Sequence, residues 1–257
     1  MRLGVCAGPE KAAVLSSAGY DYIELGASGM LNPLEDDATW AEKRRTMDAM
    51  PLRPEAFNVF INAAKVTGPD VDPAFLERYV HTLLRRAAMV GGQVVVFGSG
   101  GARNVPEGFS RETAREQILD FLGFCADAGD ITGVTVAIEP LNRSESNILN
   151  TVSEGAEYAR AVNRPRVRNL ADTYHMEKDG ESLEAIVETA DVLAHVHTAD
   201  TARGAPGTGS YDHQALFRAL AQANYDARLS IECSWKDFEV EVVTALAHLR
   251  RAAAMGG

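Results

Sequence analysis

Cysteine is scarce in this chain of 257 residues, which has only Cys6, Cys125 and Cys233 and no Cys-x-x-Cys pair. The scarcity excludes a disulfide framework and a thiolate zinc site, and it is typical of proteins of the reducing cytoplasm. No apolar run is long enough to span a membrane. The start, MRLGVCAGPEK, lacks a basic segment followed by a long apolar stretch, so we expect a cytoplasmic protein with no membrane partner.

Positive charge is also in short supply. The 25 Lys and Arg residues face 36 Asp and Glu residues, which gives a formal net charge of −11. A chain of this charge lacks the broad basic surface that nucleic acid requires, so we expect a small-molecule substrate instead. No Gly-x-Gly-x-x-Gly follows an early strand, which argues against a dinucleotide-binding sheet.

What the sequence does contain is a regular alternation of short apolar runs and helix-like stretches, with no linker between them. Strands are predicted at 2–6, 22–27, 53–60, 93–99, 134–140, 167–173, 193–199 and 228–233. Eight such strands alternating with eight helices indicate a parallel α/β fold. We therefore predict one domain over 1–257, a single (β/α)₈ TIM barrel with its active site at the C-terminal ends of the strands.

The helix-like stretches carry the expected boundary signals. Ser110 precedes a helix predicted over 111–128, and a second helix is predicted over 73–90. Gly129 and the pair Gly91-Gly92 follow these stretches, where a C-terminal glycine is expected.

Four polar side chains are placed where buried strands should end. Glu139, Asp172, His197 and Glu232 each follow an apolar run, and successive members are 33, 25 and 35 residues apart. This is about one strand plus one helix, so in a barrel the four side chains would point to one place. Three carboxylates and an imidazole repel one another there unless a cation lies among them.

A site of three carboxylates and one imidazole suits Mn²⁺ first, with Mg²⁺ or Co²⁺ as alternatives, better than a structural zinc ion. Each residue also has a simpler interpretation. Glu139 could close its strand, Asp172 could cap a helix, and His197 could be a buried barrel histidine whose hydrogen bonds are satisfied. His195 lies two residues earlier on the same strand face, where we favour a structural or supporting role.

The stretch EPLNRSE, residues 139–145, resembles the xylose isomerase-like TIM barrels, in particular their ketose 3-epimerase branch, which includes the D-tagatose and D-psicose 3-epimerases. The resemblance continues in order through DTYH at 172–175, HTADTARGAPGTG at 197–209 and IE at 231–232. It therefore covers the C-terminal half of the chain. One departure is Ala199-Asp200, where the epimerases commonly carry Gly-Glu.

The resemblance implies that the four strand-end residues bind one divalent ion and that Glu145, His175 and Arg203 contact the substrate. Asn58 and Glu24 end two earlier strands and would line the same mouth. A divalent ion can polarise a ketose carbonyl, and a carboxylate on each side can move a proton. The implied function is a metal-dependent sugar isomerase or epimerase that acts through a cis-enediolate, with Glu139 and Glu232 as its catalytic residues.

Several alternatives remain open. An inosose dehydratase or a hydroxypyruvate isomerase of the same superfamily would share the metal ligands. An endonuclease IV-like repair enzyme is a remote alternative, because further histidines are missing at the third and fourth strand ends. A barrel that only binds a sugar or a protein has no reason to keep like charges together. For the assembly we expect a homodimer or a homotetramer.

Overall fold

In the computed structural model, which describes residues 1–256, eight parallel strands form a closed barrel in which β8 pairs with β1. The strands are β1 Arg2–Cys6, β2 Tyr22–Gly26, β3 Pro54–Asn58, β4 Val94–Phe97, β5 Thr135–Ile138, β6 Val167–Asp172, β7 Leu193–Thr198 and β8 Arg228–Ile231. All eight lie within their predicted bounds. The predicted (β/α)₈ barrel is confirmed.

Helices outnumber strands, contrary to the simple alternation that we predicted. They are α1 Ala12–Ala18, α2 Ala27–Met30, α3 Asp37–Asp48, α4 Pro73–Met89, α5 Gly100–Arg103, α6 Arg111–Thr132, α7 Val152–Val162, α8 Thr173–Asp179, α9 Glu184–Glu188, α10 His213–Gln222 and α11 Phe238–Gly256, with 3₁₀ helices at Pro9–Lys11 and Thr201–Arg203. The additional short helices α2, α5 and α8 begin within three residues of the ends of β2, β4 and β6. Within residues 1–256, no helix is both long enough and apolar enough to span a membrane.

The strands are buried on both faces, as β4 illustrates. Val94 and Val96 belong to a small apolar cluster, whereas Val95 and Phe97 belong to the large one that includes helix residues. Because alternate strand residues point to opposite faces, the small cluster fills the inside of the barrel and the large one lies between strands and helices. This packing explains why the strands read as continuous apolar runs.

Helix starts follow the predicted signals, but one predicted end is wrong. Ser110 caps α6 by accepting a hydrogen bond from the Thr113 amide at 3.2 Å. The helix does not end at Gly129; it continues to Thr132 and ends at Gly133, whose φ is +79°. Gly129 serves instead for close packing, since a Cβ there would lie 2.6 Å from the Arg166 Cβ.

Candidate functional site

The four strand-end residues converge at the mouth of the barrel. Glu139 follows β5, Asp172 ends β6, His197 is the penultimate residue of β7 and Glu232 follows β8. The strand register pairs Asp172 with His197. Each residue offers one ligand atom, and these four atoms all lie within 4.8 Å of one another. We call this group the four-residue centre.

The charges of the centre perturb one another strongly. Burial raises the pKa of Asp172 to about 6. Burial would lower the pKa of His197, but the surrounding carboxylates, Glu24 first, raise it well above its ordinary value. Burial would raise the pKa of Glu232, yet His197 and then Arg203 lower it to about 2. Without a cation, a proton on the imidazole offsets part of the negative charge of the carboxylates.

The donor set fits a divalent ion. Asp172 Oδ1 accepts a hydrogen bond from the Tyr174 amide and so caps α8, but the buried Asp172 Oδ2 has no hydrogen-bond partner. The capping role of Asp172 is therefore seen at Oδ1, and its role as a metal ligand through Oδ2 stays a prediction. A Cβ at Gly98 would lie 1.6 Å from Glu139 Oε2, so the glycine leaves the space that this carboxylate occupies. Three carboxylates and one imidazole nitrogen suit a mostly oxygen-ligated ion.

His175 is buried beside the centre, and its neighbours fix its tautomer. Its Nδ1 accepts from the Asn142 amide at 3.2 Å and lies 2.8 Å from the Asn142 side-chain nitrogen. The proton is therefore on Nε2, which lies 3.6 Å from Asp172 Oδ2. Asn142 also donates to Glu145 Oε1 at 2.9 Å. One amide side chain thus orients two of the predicted substrate contacts.

Arg203 reaches the centre from the 3₁₀ helix after β7. Its backbone has φ of +61° and that of Ala202 has +59°, a left-handed conformation that is unusual for non-glycine residues. Its guanidinium donates to Glu232 Oε2 at 2.8 Å, lies 3.8 Å from Glu145 Oε1 and covers the Tyr174 ring. On the other side, Asn58 donates to Glu232 Oε1 at 3.0 Å.

A cavity of about 560 Å³ opens above the centre. Its floor includes Glu139 and Glu232, and predicted substrate contacts from the C-terminal half form one wall, namely Glu145, His175 and Arg203. The other wall comes from the last residue of β3 and from the segments after β3 and β4, namely Asn58, Val59, Ile61, Asn62, Ala63, Ala64, Lys65, Gly98, Ser99, Gly101 and Ala102. All the predicted substrate contacts therefore border one cavity. Their roles stay predictions.

Asp200 organises the loop that carries Arg203. Its carboxylate accepts from the amides of Thr201 at 2.8 Å, Gly207 at 2.7 Å and Tyr211 at 2.9 Å. Burial would raise the pKa of Asp200, but these amides hold it below its usual value. The departure from the epimerase pattern at this position therefore has a clear structural role.

Sequence reasoning missed Arg103 and placed Glu24 wrongly. Arg103 is fully buried and donates to the carbonyls of Phe97 at 2.7 Å and Glu139 at 2.6 Å, which ties the ends of β4 and β5 together. Burial lowers the pKa of this guanidinium to about 10. Glu24, which we expected to line the mouth, lies below the cavity instead, fully buried against His195 and His197. Nothing local in the sequence signals these contacts.

Comparison with known proteins identifies the family to which this chain belongs. A family model described as "Xylose isomerase-like TIM barrel" matches residues 12–252. The chain belongs to this family. The resemblance that we drew from the motifs is confirmed.

Two relatives match this xylose isomerase-like barrel over most of its length. An L-ribulose 3-epimerase from Methylomonas sp. (strain DH-1) is 32% identical over 247 residues, which cover 92% of this chain and 81% of the relative. A Streptomyces coelicolor protein called "Putative hydroxypyruvate isomerase" is 34% identical over 236 residues, covering 87% and 84%.

A solved structure agrees with the fold of this xylose isomerase-like barrel. The D-allulose 3-epimerase from Methylomonas sp. in complex with D-allulose superposes with a TM-score of 0.82 at 25% identity, covering 98% of this chain and 97% of that one. Within residues 1–256, two groups of three or more acidic, histidine or cysteine ligands lie close enough to share an ion, and both include His197. Neither group contains the further histidines that the remote endonuclease alternative would need.

Proposed function

We propose that this protein is a metal-dependent ketose 3-epimerase. The observation that carries the proposal is the convergence of Glu139, Asp172, His197 and Glu232 beneath a cavity that Glu145, His175 and Arg203 border. The family membership and the 3-epimerase names of several relatives support the same reaction class.

The four-residue centre would hold one divalent ion, Mn²⁺ first and Mg²⁺ or Co²⁺ as alternatives. When bound, the ion supplies Lewis-acid polarisation of the ketose carbonyl and favours the negative oxygen that forms when the neighbouring carbon loses its proton. Two features of the structure support an ion at this centre. Asp172 Oδ2 has no hydrogen-bond partner, and Gly98 leaves space for the Glu139 carboxylate.

Glu139 and Glu232 move the proton. They follow the non-adjacent strands β5 and β8, so a planar cis-enediolate between them has a carboxylate on each face. One carboxylate removes the proton from C3, and the other, after it has taken up a proton from solvent, returns that proton to the opposite face, which inverts the carbon with no change in oxidation state. The first residue then releases its proton to solvent. Asn58 and Arg203 hold both oxygens of Glu232, whose pKa of about 2 keeps it ionised.

The cavity suits a free sugar rather than a sugar phosphate. The charge of Arg203 is already balanced by Glu232 at 2.8 Å, and Lys65 donates to the Gly101 carbonyl. A phosphate group attracts several uncompensated donors. We therefore assign Arg203, His175, Glu145 and Asn58 to sugar hydroxyls and to the orientation of Glu232.

A hydroxypyruvate isomerase is the second candidate, because the Streptomyces coelicolor relative matches over 87% of the chain. It would use the same centre but return the proton to the neighbouring carbon. The substrate and the carbon that accepts the proton distinguish the two reactions.

The test is turnover of a panel of free ketoses, their phosphates and hydroxypyruvate in heavy water, followed by NMR. We expect a C3 epimer that carries deuterium at C3. Glu139→Gln and Glu232→Gln should each lower kcat at least 10³-fold, on the scale of a lost general base, whereas the exposed control Glu116→Gln should not.

Several outcomes contradict the proposal. A product without solvent deuterium at C3 would indicate hydride transfer, and loss of water would indicate a dehydratase. Preference for hydroxypyruvate would select the second candidate. A marked preference for phosphorylated ketoses would overturn the assignment of Arg203.

A further inference from the structure

A fully buried carboxylate lies directly behind the four-residue centre. Glu24, on β2, is completely inaccessible to solvent. Its Oε1 lies 3.0 Å from His197 Nε2, and its Oε2 lies 2.8 Å from His195 Nε2 and 2.5 Å from the Ser230 hydroxyl. Both carboxylate oxygens of Glu24 therefore have hydrogen-bond partners.

The hydrogens in this network can be assigned from the chemistry of its groups. An ionised carboxylate only accepts hydrogen bonds, so both imidazole Nε2 atoms and the Ser230 hydroxyl must donate to Glu24. Ser230 then has no hydrogen left for Tyr22, whose hydroxyl donates to Ser230 Oγ at 2.7 Å. The network has one self-consistent arrangement.

This arrangement determines which nitrogen of His197 carries a proton and which is free to bind an ion. With Nε2–H donated to Glu24, Nδ1 is the atom that lies 3.0 Å from Glu139 Oε1 and 3.6 Å from Glu232 Oε2. A metal ligand needs an unprotonated ring nitrogen, and the hydrogen bond at the other nitrogen selects the tautomer and the ring orientation.

We propose that Glu24 is a positioning residue for metal binding: it holds the His197 ring with Nε2–H towards itself, so that the Nδ1 lone pair faces the three carboxylates. The inference rests on the metal centre of the proposed function. It adds a residue from the N-terminal half of the barrel, 173 residues from the histidine that it orients.

A competing arrangement uses the same atoms. Cys6, Glu24 and His197 also have ligand atoms within 4.8 Å of one another, so a second ion could in principle bind on the Nε2 side. That arrangement needs Nε2 without its proton, and it would displace the hydrogen bond to Glu24. Metal stoichiometry separates the two arrangements.

The experiment titrates Mn²⁺ into the metal-free wild type and into a graded series at position 24. Glu24→Gln keeps a neutral acceptor and should weaken Mn²⁺ binding about 10-fold, whereas Glu24→Leu removes the acceptor and should weaken it about 100-fold. Tyr22→Phe removes a hydroxyl from the same network without touching Glu24, and its Kd should stay within about twofold of wild type. The unfolding temperature of each metal-free variant is measured separately.

A second measurement on the wild type avoids any folding defect in the variants. The chain is labelled with ¹⁵N-histidine and loaded with Zn²⁺, which is diamagnetic. NMR should find His197 protonated at Nε2 and metal-bound at Nδ1, with one ion per chain.

The outcomes are distinct. Unchanged Mn²⁺ affinity in both Glu24 variants, a Zn²⁺-bound Nε2, or two ions per chain that require Cys6 would each overturn the inference and leave the proposed function standing. A wild type that binds no metal would overturn the proposed function and this inference with it.

Discussion

Protons and the proposed metal ion would compete for the same atoms in the four-residue centre. Asp172, with a pKa of about 6, is protonated at low pH, and the raised pKa of His197 keeps its imidazole protonated at neutral pH. An ion bound at this centre would have to displace the His197 proton and, below about pH 6, the Asp172 proton as well.

We therefore expect Mn²⁺ affinity to fall as the pH falls from 8, by about tenfold per pH unit per proton displaced, and more steeply below pH 6. Calorimetric titration at each pH, in buffers of different ionisation enthalpy, counts the protons released. A Kd independent of pH between 5 and 8 would contradict this account.

The absence of a side chain at Gly98 can also be tested by substitution. A Cβ at this position would overlap the Glu139 carboxylate, so Gly98→Ala should displace that ligand and weaken Mn²⁺ binding by about 10-fold or more. Gly101→Ala is the matched control, because a Cβ there meets nothing within 4 Å. The prediction fails if both variants bind Mn²⁺ as tightly as wild type does.

At this scale the sequence predicts side chains that end strands and misses those that act through distant contacts. Glu139 and His197 were recognisable because an apolar run precedes each of them. The role of Glu24 depends on a histidine 173 residues away, and that of Gly98 depends on the Glu139 side chain. Such pairings exist only once the barrel has closed.

At the scale of elements, strands were predictable and some helices were not. Each strand of the parallel barrel is a compact apolar run, so its bounds could be read from the sequence. The end of α6 was wrong because Gly129 and Gly133 lie four residues apart, and only the structure shows that the first permits close packing and the second ends the helix. Helices as short as α2 and α5 have too few residues for a periodic pattern.

The loop after β7 depends on one carboxylate, that of Asp200. Asp200→Asn cannot accept from all three backbone amides, so the loop should loosen and Arg203 should lose its position opposite Glu232. Loss of about 1.4 kcal/mol of binding free energy would raise KM about tenfold. Mn²⁺ affinity should change less than KM, because none of the four proposed ligands lies on this loop and Asn58 still holds the other oxygen of Glu232.

Steady-state kinetics and Mn²⁺ titration of the same preparation check this prediction. Asp212→Asn is the control, because asparagine replaces aspartate well as the cap of α10. Equal KM values in the two variants would show that Asp200 does not set the position of Arg203.

For the whole molecule, metal binding and stability are linked. An ion that binds only the folded barrel stabilises it by about 2.7 kcal/mol at 100 times its Kd. For a chain of this length that corresponds to an increase in Tm of about 5–10 °C. Calorimetric scans with and without Mn²⁺ measure the shift, which Glu139→Gln should largely abolish. An unchanged Tm at saturating Mn²⁺ would contradict binding at the centre.

The division of the cavity between its two walls has a genetic consequence. All four proposed metal ligands are encoded after residue 134, whereas the wall made by residues 58–65 and 98–102 is encoded before residue 111. A single recombination event within the codons of α6 would therefore exchange this wall of the cavity and leave the four proposed metal ligands unchanged. The incoming half would need to retain Glu24 and Asn58, which contact His197 and Glu232, and Gly98, which leaves space for Glu139.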